Sequence, residues 1–166
     1  AVVAATKSIP VVFGAVTDPV AAQLVKDRGP SGTNVTGMSD ELPLEESLGL
    51  IKKALPDAKR VGLVYNPGEI NSKIVVDQLK KLMPQYDLTL VEAAAPRTVD
   101  VSSAARSLVG KSDMIFSTTD NNVIATYESL TKVSLDSKLP LIASDTDSVT
   151  RGAIAALGVN YKQLGV

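Results

Sequence analysis

The sequence predicts an α/β fold, a doubly wound, Rossmann-like parallel sheet flanked by helices, and two patterns carry that prediction. Short apolar runs alternate with segments whose apolar residues recur at three and four. From Arg60 onward the runs return about every 25 residues with a helical pattern between each pair, the signature of linked βαβ units. An eight-stranded barrel needs roughly 250 residues, against the 166 present.

The elements follow in order. Pro10–Val16 is a strand candidate, and Asn34–Met38 is a shorter one between the turn-rich segments Gly29–Gly32 and Asp40–Pro43. Leu44, Leu48, Ile51 and Leu55 then form the first helical stripe. Arg60–Tyr65 is a strand that reads as continuously apolar over most of its length, as strands buried on both faces do. Ile74, Val75, Leu79, Leu82 and Met83 line one helix face, with Lys73, Asp77, Lys80 and Lys81 on the other. Leu88–Ala93 is the next strand, and Val101, Ala104, Ala105 and Leu108 the next stripe. Met114–Ser117, a helix through Val123, Ile124, Tyr127, Leu130 and Val133 or Ser134, and the strands Pro140–Ala143 and Ala153–Leu157 complete the pattern. Residues 45–157 read as an α/β unit able to close its own core. Residues 1–44 hold too few strands to do so, and 158–166 read as a return segment towards them.

Composition excludes several classes. There is no His and no Cys, which removes the usual zinc sites, disulfides, thiolate nucleophiles and His-based acid–base catalysis. Seventeen Lys and Arg against 18 Asp and Glu give a net charge of −1, so no basic face for nucleic acid is expected. No apolar run approaches the roughly 18 residues of a membrane span. No intact signal peptide is legible at the start. GxGxxG and GxxxxGK[ST] are absent, so dinucleotide and Walker-type phosphate binding lack their motifs. No catalytic residue, cofactor or metal site is expected.

Ligands of open parallel sheets bind beyond the carboxyl ends of the strands, and polar residues gather there. Thr17 and Asp18 follow the first strand; Asn66, Asn71 and Ser72 follow Arg60–Tyr65; Thr119 and Asp120 follow Met114–Ser117; Asp145 follows Pro140–Ala143. Helix N-termini at such an edge favour a ligand carboxylate by about 0.3–1 kcal/mol. Ser72, Asn71 and Thr119 offer directed hydrogen bonds, and Asp120 or Asp145 suits an ammonium, each such bond to a charged group contributing about 1.5–3 kcal/mol. Two or three of them suffice for micromolar binding of a small zwitterion. Asp, Asn, Ser and Thr are equally the preferred N-caps, so Asp18, Asp120 and Asp145 each also have a capping explanation. Tyr65 and Tyr161 are the candidates for an aromatic wall.

Several of these segments resemble one family. Ile9–Val20, Gly32–Gly37, Arg60–Glu69 with Asn71–Ser72, Thr119–Asn121, Ala143–Val149 and Gly152–Gly158 are similar, in order, to the ABC-transporter substrate-binding proteins of the tryptophan/tyrosine-binding type. The resemblance implies a type I periplasmic binding protein fold, with two Rossmann-like lobes that close on a solute, and Ile9–Val20 as a strand–turn–helix segment. Against family members of roughly 300 residues, this chain is expected to hold one near-complete lobe plus part of the other. The implied function is binding of an amino acid, aromatic in the first place, or of a similar small solute for import, without catalysis, outside the cytoplasmic membrane (periplasmic or anchored to its outer face) and with a membrane permease as partner. Self-association of such a fragment is expected. Thr17 and Asp18 are expected on the first-lobe side of the site, and Asn66, Asn71, Ser72, Thr119, Asp120 and Asp145 on the second. Within that pattern Asn71, Ser72 and nearby N–H groups hold the α-carboxylate, and Asp145, joined by Asp120, faces the α-amino group. The effector domain of a repressor-type transcription regulator and a Rossmann-like enzyme share the architecture and stand as alternatives.

Overall fold

The computed structural model describes residues 2–165. Ala1 and Val166, the outer ends of the first and last expected segments, lie outside the described residues. The chain forms two compact units, Pro43–Val159 and Ala1–Leu42 with Asn160–Val166.

In the smaller unit, helix α1 (Val2–Ala5) precedes strand β1 (Val11–Phe13), which pairs in parallel with β2 (Val35–Gly37), Val11 opposite Val35. The run Pro10–Val16 narrows to three residues because Ala15 turns to a φ of 52°, which ends the extended chain. The helix expected after Asp18 is instead a series of turns over Pro19–Gln23, closed where Gln23 adopts a φ of 56°. Asp18 accepts the N–H groups of Val20 and Ala21 at 3.0 Å, and so caps that turn.

The larger unit opens with α2 (Leu44–Ala54), whose first turn carries Glu45 and Glu46 and whose last carries Lys52 and Lys53, the polarity a helix dipole favours. The strands are β3 (Arg60–Tyr65), β4 (Thr89–Ala94), β5 (Met114–Ser117), β6 (Leu141–Ala143) and β7 (Ala155–Ala156). Helices α3 (Ile70–Leu82), α4 (Val101–Ser107), α5 (Asn121–Ala125) and α6 (Tyr127–Asp136) connect them. All pairings are parallel, in the order β4-β3-β5-β6-β7. The smaller unit ends with α7 (Tyr161–Leu164). Among the described residues no helix is long and apolar enough to cross a membrane.

Both faces of the sheet are covered at its central strands β3, β5 and β6. Val64, Ile115, Leu141 and Ala143 pack with Val101 and Ala105 of α4, Leu108 at its C-cap, and Tyr127 and Leu130 of α6 on one side. Successive strand residues alternate faces, so Leu63, Met114, Phe116 and Ile142 point to the other, and all four are buried. Gly62 makes the first contact possible, since a Cβ there would stand 2.9 Å from Leu108 Cδ1. The expected single helix after β5 is two. Thr126 leaves helical geometry (φ −130°), its hydroxyl bonding back to Asn122 O at 2.8 Å. The apolar stripe continues across the break, which is why its spacing reads as one helix.

The far, amino end of the sheet is stitched by Asp113. Its carboxylate accepts Arg60 Nη2 at 2.7 Å and Nε at 3.2 Å, and the N–H groups of Lys59 and Arg60 at 2.9 and 2.7 Å. The Arg60 side chain first, then these two N–H donors, hold the carboxyl down at about 2, against 3.8 for an ordinary Asp. The unfolded chain therefore takes up the proton before the folded one. The stabilisation is fully present above about pH 4 and is lost as pH falls towards 2. Urea midpoints of wild type and Asp113→Asn should accordingly differ at pH 5 and converge by pH 2. A gap that stays constant over that range contradicts the assignment.

Candidate functional site

Numbered from β3, the larger unit has the strand order 2-1-3-4-5, which reverses between β3 and β5. In open α/β sheets ligands bind in a crevice beyond the carboxyl ends of the strands at such a reversal, which here means beyond β3 and β5. The loops that leave these two strands meet there through a dense polar network.

Asp120 caps α5 by accepting Val123 N–H at 3.1 Å. It also reaches across the crevice. Its Oδ2 accepts Asn66 N–H at 2.7 Å and the Ser72 hydroxyl at 2.6 Å. Glu69, which sequence reasoning did not single out, does the converse. Its Oε2 accepts Asn121 Nδ2 at 2.9 Å and Asn121 N–H at 3.3 Å, and its Oε1 accepts Asn66 Nδ2 at 3.2 Å. Asn66 Oδ1 accepts Gly68 N–H at 2.9 Å, so this side chain is held from both ends. Asn71 stands half-buried in the first turn of α3, its amide 3.4 Å from Glu69 Oε2, and Thr119 is half-buried between Ser117 and Asp120.

Asp145 follows β6, the strand beside β5, and N-caps the 3-10 turn Thr146–Val149. Its Oδ1 accepts Asp147 N–H at 3.0 Å and its Oδ2 accepts the Ser148 hydroxyl. It is half-buried, and a carboxylate has about four acceptor sites, so it retains capacity for further donors. The neighbouring Ser144 hydroxyl is buried without a hydrogen-bond partner among the described residues.

Of the predicted residues, the structure thus brings Asn66, Asn71, Ser72, Thr119 and Asp120 to one crevice and sets Asp145 at the end of the adjacent strand. Thr17 and Asp18 belong to the smaller unit, where Thr17 O accepts the Ser39 hydroxyl at 3.0 Å. Tyr65 donates its hydroxyl to Glu92 Oε2 at 2.9 Å, and burial, with that carboxylate beside it, pushes its phenol up. Tyr161 donates to Asp40 Oδ2 at 2.9 Å and borders an apolar concavity with Val12, Phe13 and Met38. Among the described residues no group of acidic side chains is placed to hold a metal ion.

Comparison with known proteins gives this edge its context. The family model described as ABC transporter substrate binding protein matches residues 1–166. The chain belongs to that family. A tyrosine-binding protein of Clostridioides difficile is 42% identical over 161 residues, covering 97% of this chain and 47% of that protein. The crystal structure of an ABC domain in complex with L-Trp from Streptococcus pneumonia superposes with a TM-score of 0.90 at 34% identity, over 98% of this chain and 56% of that one. A conserved domain protein from Vibrio cholerae superposes at 0.93 with 45% identity, over 99% and 55%. The chain thus spans about half the length of the relatives it matches, and its parallel sheet flanked by helices is the fold of periplasmic binding protein domains that these neighbours share.

Proposed function

We propose that this chain serves as the solute-binding component of an ABC importer, outside the cytoplasmic membrane, and that it takes an aromatic amino acid, delivering it unchanged to a membrane permease. The carrying observation is the polar crevice at the strand-order reversal, in a family of substrate-binding proteins. The tyrosine and L-Trp named for the two relatives support the choice of solute.

Asp145 is the residue we assign to the solute's ammonium, because it is half-buried with acceptor capacity left, whereas Asp120 is buried and already takes three donors. The solute carboxylate is assigned to the first turn of α3, whose leading N–H groups have no intrahelical partner, with Asn71 and Thr119 beside it.

Isothermal titration of the full-length protein with L-tyrosine and L-tryptophan tests the reading. Heat of binding with at least one, at micromolar affinity, is expected; no heat and no thermal shift with either defeats it. Asp145→Asn should weaken binding at least tenfold, about 1.4 kcal/mol. Unchanged affinity with lowered stability would leave Asp145 a turn cap only.

A further inference from the structure

Asp120 is 1% exposed, and three donors from three separate segments converge on it: Asn66 N–H from the loop after β3, the Ser72 hydroxyl from the first turn of α3, and Val123 N–H from α5. A carboxylate only accepts, so the Ser72 hydrogen lies on the bond to Asp120. Ser72 is itself 3% exposed, and its Oγ is left with acceptor capacity alone. Glu69 completes the arrangement from the other side, taking Asn121 by side chain and main chain. Each loop therefore supplies the carboxylate that the other loop's donors need.

We propose that Asp120 is a positioning residue that never touches the solute: with Glu69 it forms a reciprocal clasp that fixes the two loops of the crevice and turns Ser72 away from any solute carboxylate. This rests on the amino-acid reading above and refines it, since it removes Asp120 and Ser72 from the direct contacts. A clasp of this kind supplies affinity through preorganisation, by ordering the loops before the solute arrives.

The test is Asp120→Ser in the full-length protein. Serine still caps α5, but its single oxygen cannot also reach Asn66 and Ser72. Affinity is measured for L-tyrosine and for 3-(4-hydroxyphenyl)propionate, the same molecule without its ammonium, at a temperature where circular dichroism shows wild type and variant fully folded. Main-chain hydrogen exchange at Asn66 is followed alongside. Both compounds should lose at least fivefold, by factors within twofold of each other, and Asn66 exchange should quicken at least tenfold while Leu63 and Val64 hold. Asp145→Asn, in contrast, should cost tyrosine alone. A loss for tyrosine tenfold larger than for the propionate makes Asp120 an ammonium ligand and overturns the proposal. So does unchanged affinity for both, or unchanged exchange at Asn66. If wild type binds neither compound, the amino-acid reading falls by itself, and Asn66 exchange decides the clasp alone. Should Asp120→Ser not fold, Ser72→Ala removes one donor, keeps the charge and gives the same two readouts.

Discussion

Tyr127→Ala is expected to destabilise the larger unit by about 3–5 kcal/mol, the range for emptying a buried aromatic site. The side chain is fully buried, the largest of the buried set, and sits against the central strands with Val64, Ile115 and Leu141. Two further contacts are lost with it. Its hydroxyl lies 2.9 Å from Ser117 Oγ, itself buried at the carboxyl end of β5. The Arg151 guanidinium stands 4.9 Å from the ring centroid, steered there by Glu128, which accepts Arg151 Nε at 2.8 Å and Nη2 at 3.0 Å. Tyr127→Phe separates the terms. It keeps the ring and the cation, removes one partner of Ser117, and should cost only about 1–2 kcal/mol. Urea unfolding of both variants measures the difference. A cost below about 1 kcal/mol for alanine would mean that the neighbouring helices collapse into the space, which the sheet behind the ring opposes.

The elements of the larger unit were largely legible for one reason: a parallel sheet buried on both faces must be apolar at every strand position. Val61 to Val64 and Met114 to Phe116 are buried without interruption, and their runs announce them. The strand order was not legible, because which strands pair depends on packing between segments that share no sequence signal. The same limit governs the crevice. Asp18, Asp120 and Asp145 could each be read as caps from local rules, and each does cap. That Asp120 also takes Asn66 and Ser72, 54 and 48 residues away, is a product of topology alone. Glu69 lies in the polar segment after β3 but is no site candidate from sequence, because a Glu ahead of a helix is common; only its bonds to Asn121 distinguish it. In the smaller unit the positive φ at Ala15 and Gln23 falls on residues that do not advertise it, so the sequence there reads as strand and helix where the chain turns.

Gly158→Ala should be among the most damaging single-methyl changes in the chain. A Cβ at Gly158 would stand 2.2 Å from the carbonyl oxygen of Ser144, 2.9 Å from its carbon and 3.0 Å from Asp145 Cα. All three are main-chain atoms, so no rotamer change relieves the overlap; the turn after β6 or the segment leaving β7 must move. Leu157 N–H bonds to Ala143 O at 3.1 Å and resists that movement. A cost of about 3 kcal/mol, the upper part of the overpacking range, is expected. Because the displaced turn carries Asp145, binding of L-tyrosine or L-tryptophan should weaken as well, in protein that is still folded. Gly49→Ala supplies the contrast. Gly49 lies inside α2, and an added Cβ there meets nothing within 4 Å. Alanine should stabilise that helix by up to about 1 kcal/mol and leave affinity untouched. Thermal melts with a binding titration on each variant therefore predict opposite signs for the same chemical change. If Gly158→Ala instead proved neutral in both, the close approach of the two backbones would be wrong, and with it the argument that the Asp145 turn is held rigidly enough to select a solute.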